Sequence, residues 1–171
     1  MTIGGSLDTK TPRAGPSAPT PMLCVETHTQ PGGHRVQVKT ILNRVERHRS
    51  FVYGDVEFVE AVRGPAIEIK IRPRANGRPM CSGCGQPGPG YDTLPARRFE
   101  FVPLWGFLVF FVYAMRRVDC PGCGVRVEKV PWATGKKHLT TTYAWFLATW
   151  AKRMTWTDVA RAFRTSWDSV F

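Results

Sequence analysis

The chain has 171 residues, 43% of them hydrophobic, which is enough for the core of one or two small domains. Its 24 lysines and arginines outnumber 13 acidic residues, giving a formal net charge of +11 and a pI of about 10.0. Such a charge favours a polyanionic partner, with nucleic acid ahead of an anionic membrane surface. A basic protein that is merely soluble would show the same composition.

Neither an export signal nor a membrane span is predicted. Residues 1–35 hold no apolar run of the length that a signal peptide needs. The longest uncharged apolar stretch, Phe101–Met115, is shorter than the ~20 residues of a span and contains Pro103 and Gly106. The sequence therefore predicts a soluble, cytoplasmic protein without a membrane partner.

The chain begins with a segment that is predicted to be disordered. Residues 1–40, and above all 1–35, are rich in Gly, Pro, Ser and Thr, which bury too little surface to offset their conformational entropy. A start codon assigned too far upstream would give the same composition.

An alternation of apolar and polar residues then predicts a β hairpin. Val56–Glu60 and Ala66–Arg72 flank a turn at Arg63-Gly64-Pro65. In the second run the isoleucines share one face and the charged residues share the other, which is expected to be solvated: Ile67, Ile69 and Ile71 against Glu68, Lys70 and Arg72.

A second hairpin is predicted further along, with strands at Arg97–Val102 and Phe107–Val118 around a turn at Pro103–Gly106. The later strand is apolar on both faces over Phe107–Met115, so it is expected to lie centrally in the sheet. A short strand is predicted at Val125–Val130.

Four of the five cysteines form two C-x-x-C-G motifs, at Cys81/Cys84 and Cys120/Cys123. Each spacer holds two thiolates within reach of one ion, and the glycine that follows allows a positive φ and lets backbone amides approach the sulfurs. The 35 intervening residues contain the second hairpin, which can bring the motifs together. Four thiolates without an open position predict one structural Zn²⁺ per chain.

Other interpretations of the cysteines are less well supported. Rubredoxin-like iron sites share the motif, but the charge of +11 and the helical continuation argue against an electron carrier. Thioredoxin-like chemistry needs a C-x-x-C that opens a helix after a strand, and neither motif does so. Four reduced cysteines without metal remain an alternative. Disulfides are not expected without export, and the isolated Cys24 predicts no function.

After Pro131 the pattern becomes helical. Apolar residues at helical spacing predict a helix over about Thr140–Arg153: Tyr143, Phe146, Leu147 and Trp150. Thr155-x-x-Asp158 is a capping box that predicts a second helix through Phe163. Arg164-Thr165-Ser166 then forms a turn before a third helix. We expect three tryptophans to pack within this unit: Trp145, Trp150 and Trp156.

Together these elements predict an α+β protein with two folded parts. Residues 41–135 would form antiparallel β hairpins with a four-cysteine zinc ribbon, and residues 136–171 a helix-turn-helix that is cut short. Basic residues flanking its first helix are predicted to contact phosphates: Lys136, Lys137, Lys152 and Arg153. Arg164 in the turn is also predicted to contact DNA. Residues around the start of the last helix are predicted to read bases: Thr165, Ser166, Asp168 and Ser169.

From about Ile41 to Phe171 the order of these features resembles the N-terminal part of ISL3-type bacterial transposases. The matching features are Arg72-Pro73-Arg74, the two cysteine motifs, Arg98-x-Phe-x-Phe-x-Pro-Leu-Trp-Gly and the helical Thr155–Phe171. The resemblance implies a zinc ribbon and a helix-turn-helix that recognise the terminal inverted repeats of an insertion sequence. In that family a DDE catalytic domain follows and uses divalent metal for strand cleavage and transfer.

The sequence ends where that catalytic domain would begin, and no aspartate lies in a predicted strand that could present it to paired metal ions. We therefore expect a non-enzymatic, nucleoid-associated fragment that binds double-stranded DNA, from a partial coding sequence, a cloning boundary or a truncated gene. The short last helix predicts poor discrimination between sequences. The main alternative is a zinc ribbon that holds protein partners, including a homo-oligomer.

Overall fold

The computed structural model describes Met1 and residues 37–170, so most of the predicted tail, with Cys24, lies outside the described residues. The elements described belong to one unit of the chain, Arg35–Phe171. In chain order they are α1 (Val38–Val45), β1 (Phe51–Ala61), β2 (Gly64–Pro73), β3 (Gly90–Leu104), β4 (Phe107–Cys120), β5 (Gly124–Val127), α2 (Thr141–Ala151), α3 (Trp156–Ala162) and α4 (Trp167–Val170). The fold is mixed α+β and is dominated by one sheet.

The first predicted hairpin is present as β1 and β2, which pair antiparallel from Phe51↔Pro73 to Ala61↔Gly64. Its turn lies one residue earlier than predicted, because Gly64 already pairs as the first residue of β2. The isoleucines of β2 are buried as expected. Glu68 was predicted on a solvated face, but it is only 9% exposed and forms an ion pair with Arg98 of β3.

The second predicted hairpin is present as β3 and β4, with β4 in the interior of the sheet and β3 at its edge. Its tight turn is made by Trp105 and Gly106, both with positive φ (48° and 82°), which matches the right-handed twist of the flanking strands. The sheet order is β1-β2-β4-β3, and β5 pairs with the end of β4. The central position predicted for β4 is therefore confirmed.

The two hairpins are joined by a parallel pairing of β2 with β4, from Ala66↔Leu108 to Lys70↔Val112. The sequence predicted antiparallel hairpins and did not predict this contact. The alternation of residues within a strand specifies which face is buried, whereas it says nothing about which strand edges meet. The parallel pairing makes one continuous sheet from two local units.

One face of the sheet is covered by aromatic and aliphatic side chains around Trp132, which is fully buried. The rings of Phe51 and Tyr113 lie edge-on to it at 4.9 and 5.3 Å. Helix α1 packs Leu42 into the same core. This helix was not predicted, and the tail boundary at residue 40 falls inside it, although its apolar residues follow helical spacing.

Helices α2 and α3 begin where the sequence predicted, and α3 has the predicted cap at Thr155. The Thr140 hydroxyl accepts a hydrogen bond from the Tyr143 N–H at 3.3 Å, and the Thr155 hydroxyl accepts one from the Asp158 N–H at 3.2 Å. Tyr143 and Leu147 of α2 pack with Val159 of α3 in a small separate core. The local signals for these two helices therefore predicted their start points correctly.

The tryptophans predicted to pack within this unit do not fill its core. The exposed fractions are 71% for Trp145, 39% for Trp150 and 42% for Trp156. The small core is filled by Tyr143, Leu147 and Val159. The buried face of α2 is therefore narrower than the spacing of its apolar residues suggested.

The helical part lies against the sheet through backbone and charged contacts. The Glu100 N–H of β3 donates to the His138 carbonyl at 2.7 Å, and the Thr140 N–H donates to the Glu100 carbonyl at 2.9 Å. Arg63, in the β1–β2 turn, pairs with the Glu100 carboxylate at 2.8 Å and donates to the Arg164 carbonyl. No helix among residues 37–170 has the length and hydropathy to cross a membrane.

Candidate functional site

The four cysteines of the two motifs converge on one point. Cys81 and Cys84 lie in a short loop between β2 and β3, whereas Cys120 ends β4 and Cys123 immediately precedes β5. Their sulfur atoms all lie within 4.8 Å of one another, and the Sγ atoms of Cys84 and Cys120 are 3.5 Å apart. The hairpin between the motifs brings them together, as the sequence predicted.

Local backbone geometry explains the glycine that follows each motif. Gly85 and Gly124 have φ of +73° and +69°, a region that residues with a Cβ rarely adopt. The Gly83 N–H points at the Cys81 sulfur, 3.4 Å away. A Cβ on Gly83 would lie 3.1 Å from the Cys123 sulfur, so the spacer must stay small for the motifs to approach.

The sulfurs do not share the same electrostatic environment. The pKa of Cys81 is lowered to about 7, first because the backbone N–H of Cys84 donates to its sulfur and next because that of Gly83 does. The pKa of Cys123 is raised to about 12, first by its hydrogen bond with Cys84 and next by that with Cys120. The backbone amides therefore favour the thiolate of Cys81, whereas the neighbouring sulfurs disfavour that of Cys123.

The cluster fits a tetrahedral metal ion. Metal–sulfur bonds of ~2.3 Å give sulfur–sulfur edges of about 3.8 Å, which is close to the observed spacing. Cys81 and Cys120 are buried, Cys123 is half-buried and Cys84 is exposed. Among the described residues this is the one group of three or more His, Cys, Asp or Glu side chains whose ligand atoms meet in this way.

A buried ion pair beside the cluster was missed by sequence reasoning. Glu128 follows β5 and is 2% exposed; its two oxygens accept from the Tyr113 hydroxyl at 2.6 Å and from the Arg116 guanidinium at 2.8 and 3.0 Å. Arg116 also donates to the Gly77 carbonyl at 3.0 Å. Because the backbone of Glu128 bridges to that of Cys81, this network ties the cysteine loop to the sheet.

The predicted phosphate-contacting residues lie at the surface. Lys136 and Lys137 are exposed in the segment before α2. Lys152 is the C-cap residue of α2, and both it and Arg153 are exposed. Among the described residues, none of the four forms an ion pair. Their charges are therefore open to an anionic partner.

Two of the five DNA contacts predicted around the last helix face the protein instead. Thr165 is 9% exposed, and its N–H donates to the Ala160 carbonyl at 3.0 Å. Arg164 has φ of +52°, and its guanidinium donates to the Gly106 carbonyl in the β3–β4 turn. The structure therefore assigns both to packing of the helices on the sheet, which a local turn pattern does not reveal.

The other predicted base-reading residues stay accessible. Ser166 and Asp168 are exposed and Ser169 is half-buried, and the hydroxyls of the two serines are 2.6 Å apart. Asp168 lies in the first turn of α4, the position expected from the helix dipole. The part of the chain that the structure describes thus leaves three of the five at the surface.

The aspartates of the sheet do not form a metal site. Asp55, Asp92 and Asp119 lie in β1, β3 and β4, so three of the aspartates do occupy strands. Asp55 pairs with Arg72 and Asp92 with Arg117. No three acidic side chains come together over residues 37–170.

The chain is similar to known transposases. The chain is 33% identical over 124 residues to the transposase for insertion sequence element IS1557, from two strains of Mycobacterium tuberculosis. The match covers 70% of this chain and 28% of that transposase, so the chain spans about 28% of the length of the curated relatives it matches. No protein-family model matches the chain. No solved structure matches it. The similarity supports a transposase and a role related to transposition.

Proposed function

We propose that this chain is a DNA-binding part of an ISL3-type transposase, built from a zinc ribbon and a helix-turn-helix. The observation that carries the proposal is the convergence of four cysteine sulfurs within 4.8 Å, followed in the chain by three helices, of which α2 packs on β3 and α3 and α4 pack on α2. The similarity to an insertion-sequence transposase supports the same interpretation. The proposed target is the terminal inverted repeats of the element.

The proposed metal is one structural Zn²⁺ held by Cys81, Cys84, Cys120 and Cys123. Zinc accepts four thiolates in a tetrahedron, and a site with no open position serves folding. Two of the sulfurs come from the junction of β4 with β5, and two come from the Cys81–Cys84 loop, whose backbone bridges to Glu128. An ion bound to all four would therefore fix that end of the sheet. Its binding free energy would then be part of the free energy of folding.

The proposed helix-turn-helix consists of α3, the turn around Arg164 and α4, with α2 packed behind. Ser166, Asp168 and Ser169 would face base edges, and Lys136, Lys137, Lys152 and Arg153 would contact phosphates. The four basic residues are exposed and form no ion pair within the described part of the chain, and such residues supply the sequence-independent part of binding. We therefore expect most of the affinity to come from phosphate contacts.

We propose further that this chain alone does not cut or join DNA. The relatives are transposases about three and a half times as long as the matched part. The activity of the whole relative can therefore depend on residues outside the matched part. Incubation of the protein with a transposon-end duplex and Mg²⁺ or Mn²⁺ should leave the duplex intact. Metal-dependent nicking that is lost in Asp55→Asn or Asp92→Asn would contradict this.

Two measurements test the DNA-binding proposal. Metal analysis of protein purified without added metal should give one zinc per chain, and a red iron–thiolate spectrum or no metal would contradict the site. Binding of a terminal-repeat duplex and of a scrambled duplex is then measured at two salt concentrations. We expect both to bind, the repeat somewhat more tightly, and both to weaken steeply as salt rises.

Exposed tryptophans favour a second candidate function, a surface that holds protein partners. Trp145 is 71% exposed and Trp105 is 80% exposed, whereas large aromatic side chains are usually buried or at interfaces. Failure of the zinc-loaded protein to bind either duplex at low salt, together with self-association that Trp145→Ser abolishes, would favour this function over DNA binding.

A further inference from the structure

A cleft of about 840 Å³ lies beside the cysteine cluster, between β4, β5 and the segment that leads to α2. Five basic residues line it: Arg97, Arg117, Arg126, Lys129 and Lys136. They come from different strands and loops, so the sequence did not present them as one group. Of these residues, only Lys136 was among the predicted DNA contacts.

The cleft has an unbalanced positive charge. Glu128 is its acidic lining residue, and both of its oxygens are taken by Arg116 and Tyr113. Arg117 donates to both oxygens of Asp92, and the two side chains are 37% and 42% exposed, so water screens their attraction in part. A phosphate would have to compete with the Asp92 carboxylate for Arg117.

The remaining cations have no ion pair within the part of the chain that the structure describes, and two are held in place by neutral contacts. Arg97 donates to the Lys136 carbonyl at 3.0 Å, and its guanidinium carbon lies 5.2 Å from the centre of the Phe99 ring. Arg126 donates to the Cys123 carbonyl at 3.1 Å. A guanidinium has five N–H donors, so both arginines keep donors for an anion while these contacts stay in place.

Apolar side chains also line the cleft: Met115, Val127, Val130 and Ala133. Met115, Val130 and Ala133 belong to the core of the sheet and expose little surface. The surface that the cleft offers to a ligand is therefore mainly cationic. A nucleic-acid strand, with its closely spaced phosphates, carries the complementary charge.

We propose that this cleft binds the sugar–phosphate backbone of DNA, as a contact separate from the helical part. The inference rests on the proposed function and adds the place on the sheet at which DNA is held. Phosphates would bind Arg117, Arg126 and Lys129, which come to the cleft from β4, β5 and the segment after β5. Because Arg126 is hydrogen-bonded to Cys123, the metal-binding loop would position one wall of the cleft.

The test is the salt dependence of binding to a scrambled duplex. The double variant Arg126→Gln with Lys129→Gln should bind more weakly at low salt, and the slope of log affinity against log salt should fall by about 1.8, which is ~0.9 for each of the two phosphates no longer neutralised. The matched control is Arg44→Gln with Arg47→Gln, which removes the same charge from residues outside the cleft. Its slope should change little.

The outcomes separate this inference from the proposed function. Absence of duplex binding by the wild-type protein at low salt would contradict both. Normal binding by the wild type with an equal slope in the cleft variant would overturn the cleft alone, as would equal changes of slope in the cleft and control variants. Metal content and thermal unfolding of each variant show that it is folded.

A measurement on the wild-type protein covers the case in which the cleft variant does not fold. An amine-reactive reagent should label Lys129 and Lys136 in the free protein and label both several-fold less when the protein is saturated with duplex. Lys39 of α1, outside the cleft, is the internal control. Unchanged labelling of Lys129 under saturation would overturn the proposal.

Discussion

The cysteine region and the C-terminal helices were both predicted from short motifs, yet the two sets of predictions differ in outcome. The four cysteines meet as expected, and Gly85 and Gly124 have the positive φ that the motif requires. In the helical part α2 and α3 begin where they were predicted, but Arg164 and Thr165 turn inward and Trp145 turns outward. Ligand spacing is a local property, whereas the exposure of a helix face depends on what the helix packs against.

The largest effect should follow from breaking the cysteine region. Cys81→Ser removes a buried sulfur at the centre of the cluster, so we expect loss of the metal and loss of cooperative unfolding of residues 56–130, since metal binding is coupled to folding. Metal analysis and thermal unfolding by circular dichroism measure both. Cys24→Ser is the matched control and should retain metal and unfolding temperature. A Cys81→Ser protein with full metal content would contradict the assignment of the ligands.

The next largest effect should come from the ion pair that supports the cysteine loop. Glu128→Ala leaves the largely buried Arg116 charge without its partner, which costs about 3–5 kcal/mol when such a pair is broken. Denaturant unfolding measures the change. Glu57→Ala breaks the exposed pair with Lys70 and should change stability little. An equal loss of unfolding free energy in the two variants would contradict a special role of the Glu128–Arg116 pair in stability.

A pair of substitutions in the helical part sharpens the comparison between packing and contact residues. Arg164→Ala removes the hydrogen bond to Gly106 and should lower stability by about 1–2 kcal/mol while leaving the salt slope of DNA binding unchanged. Lys152→Ala should leave stability unchanged and lower that slope by about 0.9. A lower salt slope with unchanged stability in Arg164→Ala would instead support Arg164 as a DNA contact.

The smallest effect concerns pH. Burial between Tyr53 and Trp132 lowers the pKa of His48 below its usual 6.5, so between the two values the unfolded chain binds a proton that the folded chain does not. Stability should therefore fall as pH drops below 6.5. His48→Phe keeps an aromatic ring and should reduce this dependence. Unfolding curves from about pH 7.5 to about pH 5.5 measure it, and an identical dependence in both proteins would contradict the burial argument.

The sequence predicted what depends on neighbouring residues. The two hairpins, the central place of β4, the starts of α2 and α3 and the convergence of the cysteines all follow from alternation, turn residues or spacing. The parallel pairing of β2 with β4 and the basic cleft depend on contacts between distant segments, and no local pattern specifies those. Helix α1 is a different case. Its apolar residues follow helical spacing, but the first part of the helix was assigned to the disordered tail.

The salt dependence of duplex binding by the zinc-loaded protein tests the central proposal most directly. A labelled terminal-repeat duplex is titrated at low salt and at physiological salt, beside a scrambled duplex of equal length. We expect clear binding of both at low salt, a loss of affinity of at least about tenfold at the higher salt, and a modest preference for the repeat. No binding of either duplex at low salt would contradict the proposal that this chain binds DNA.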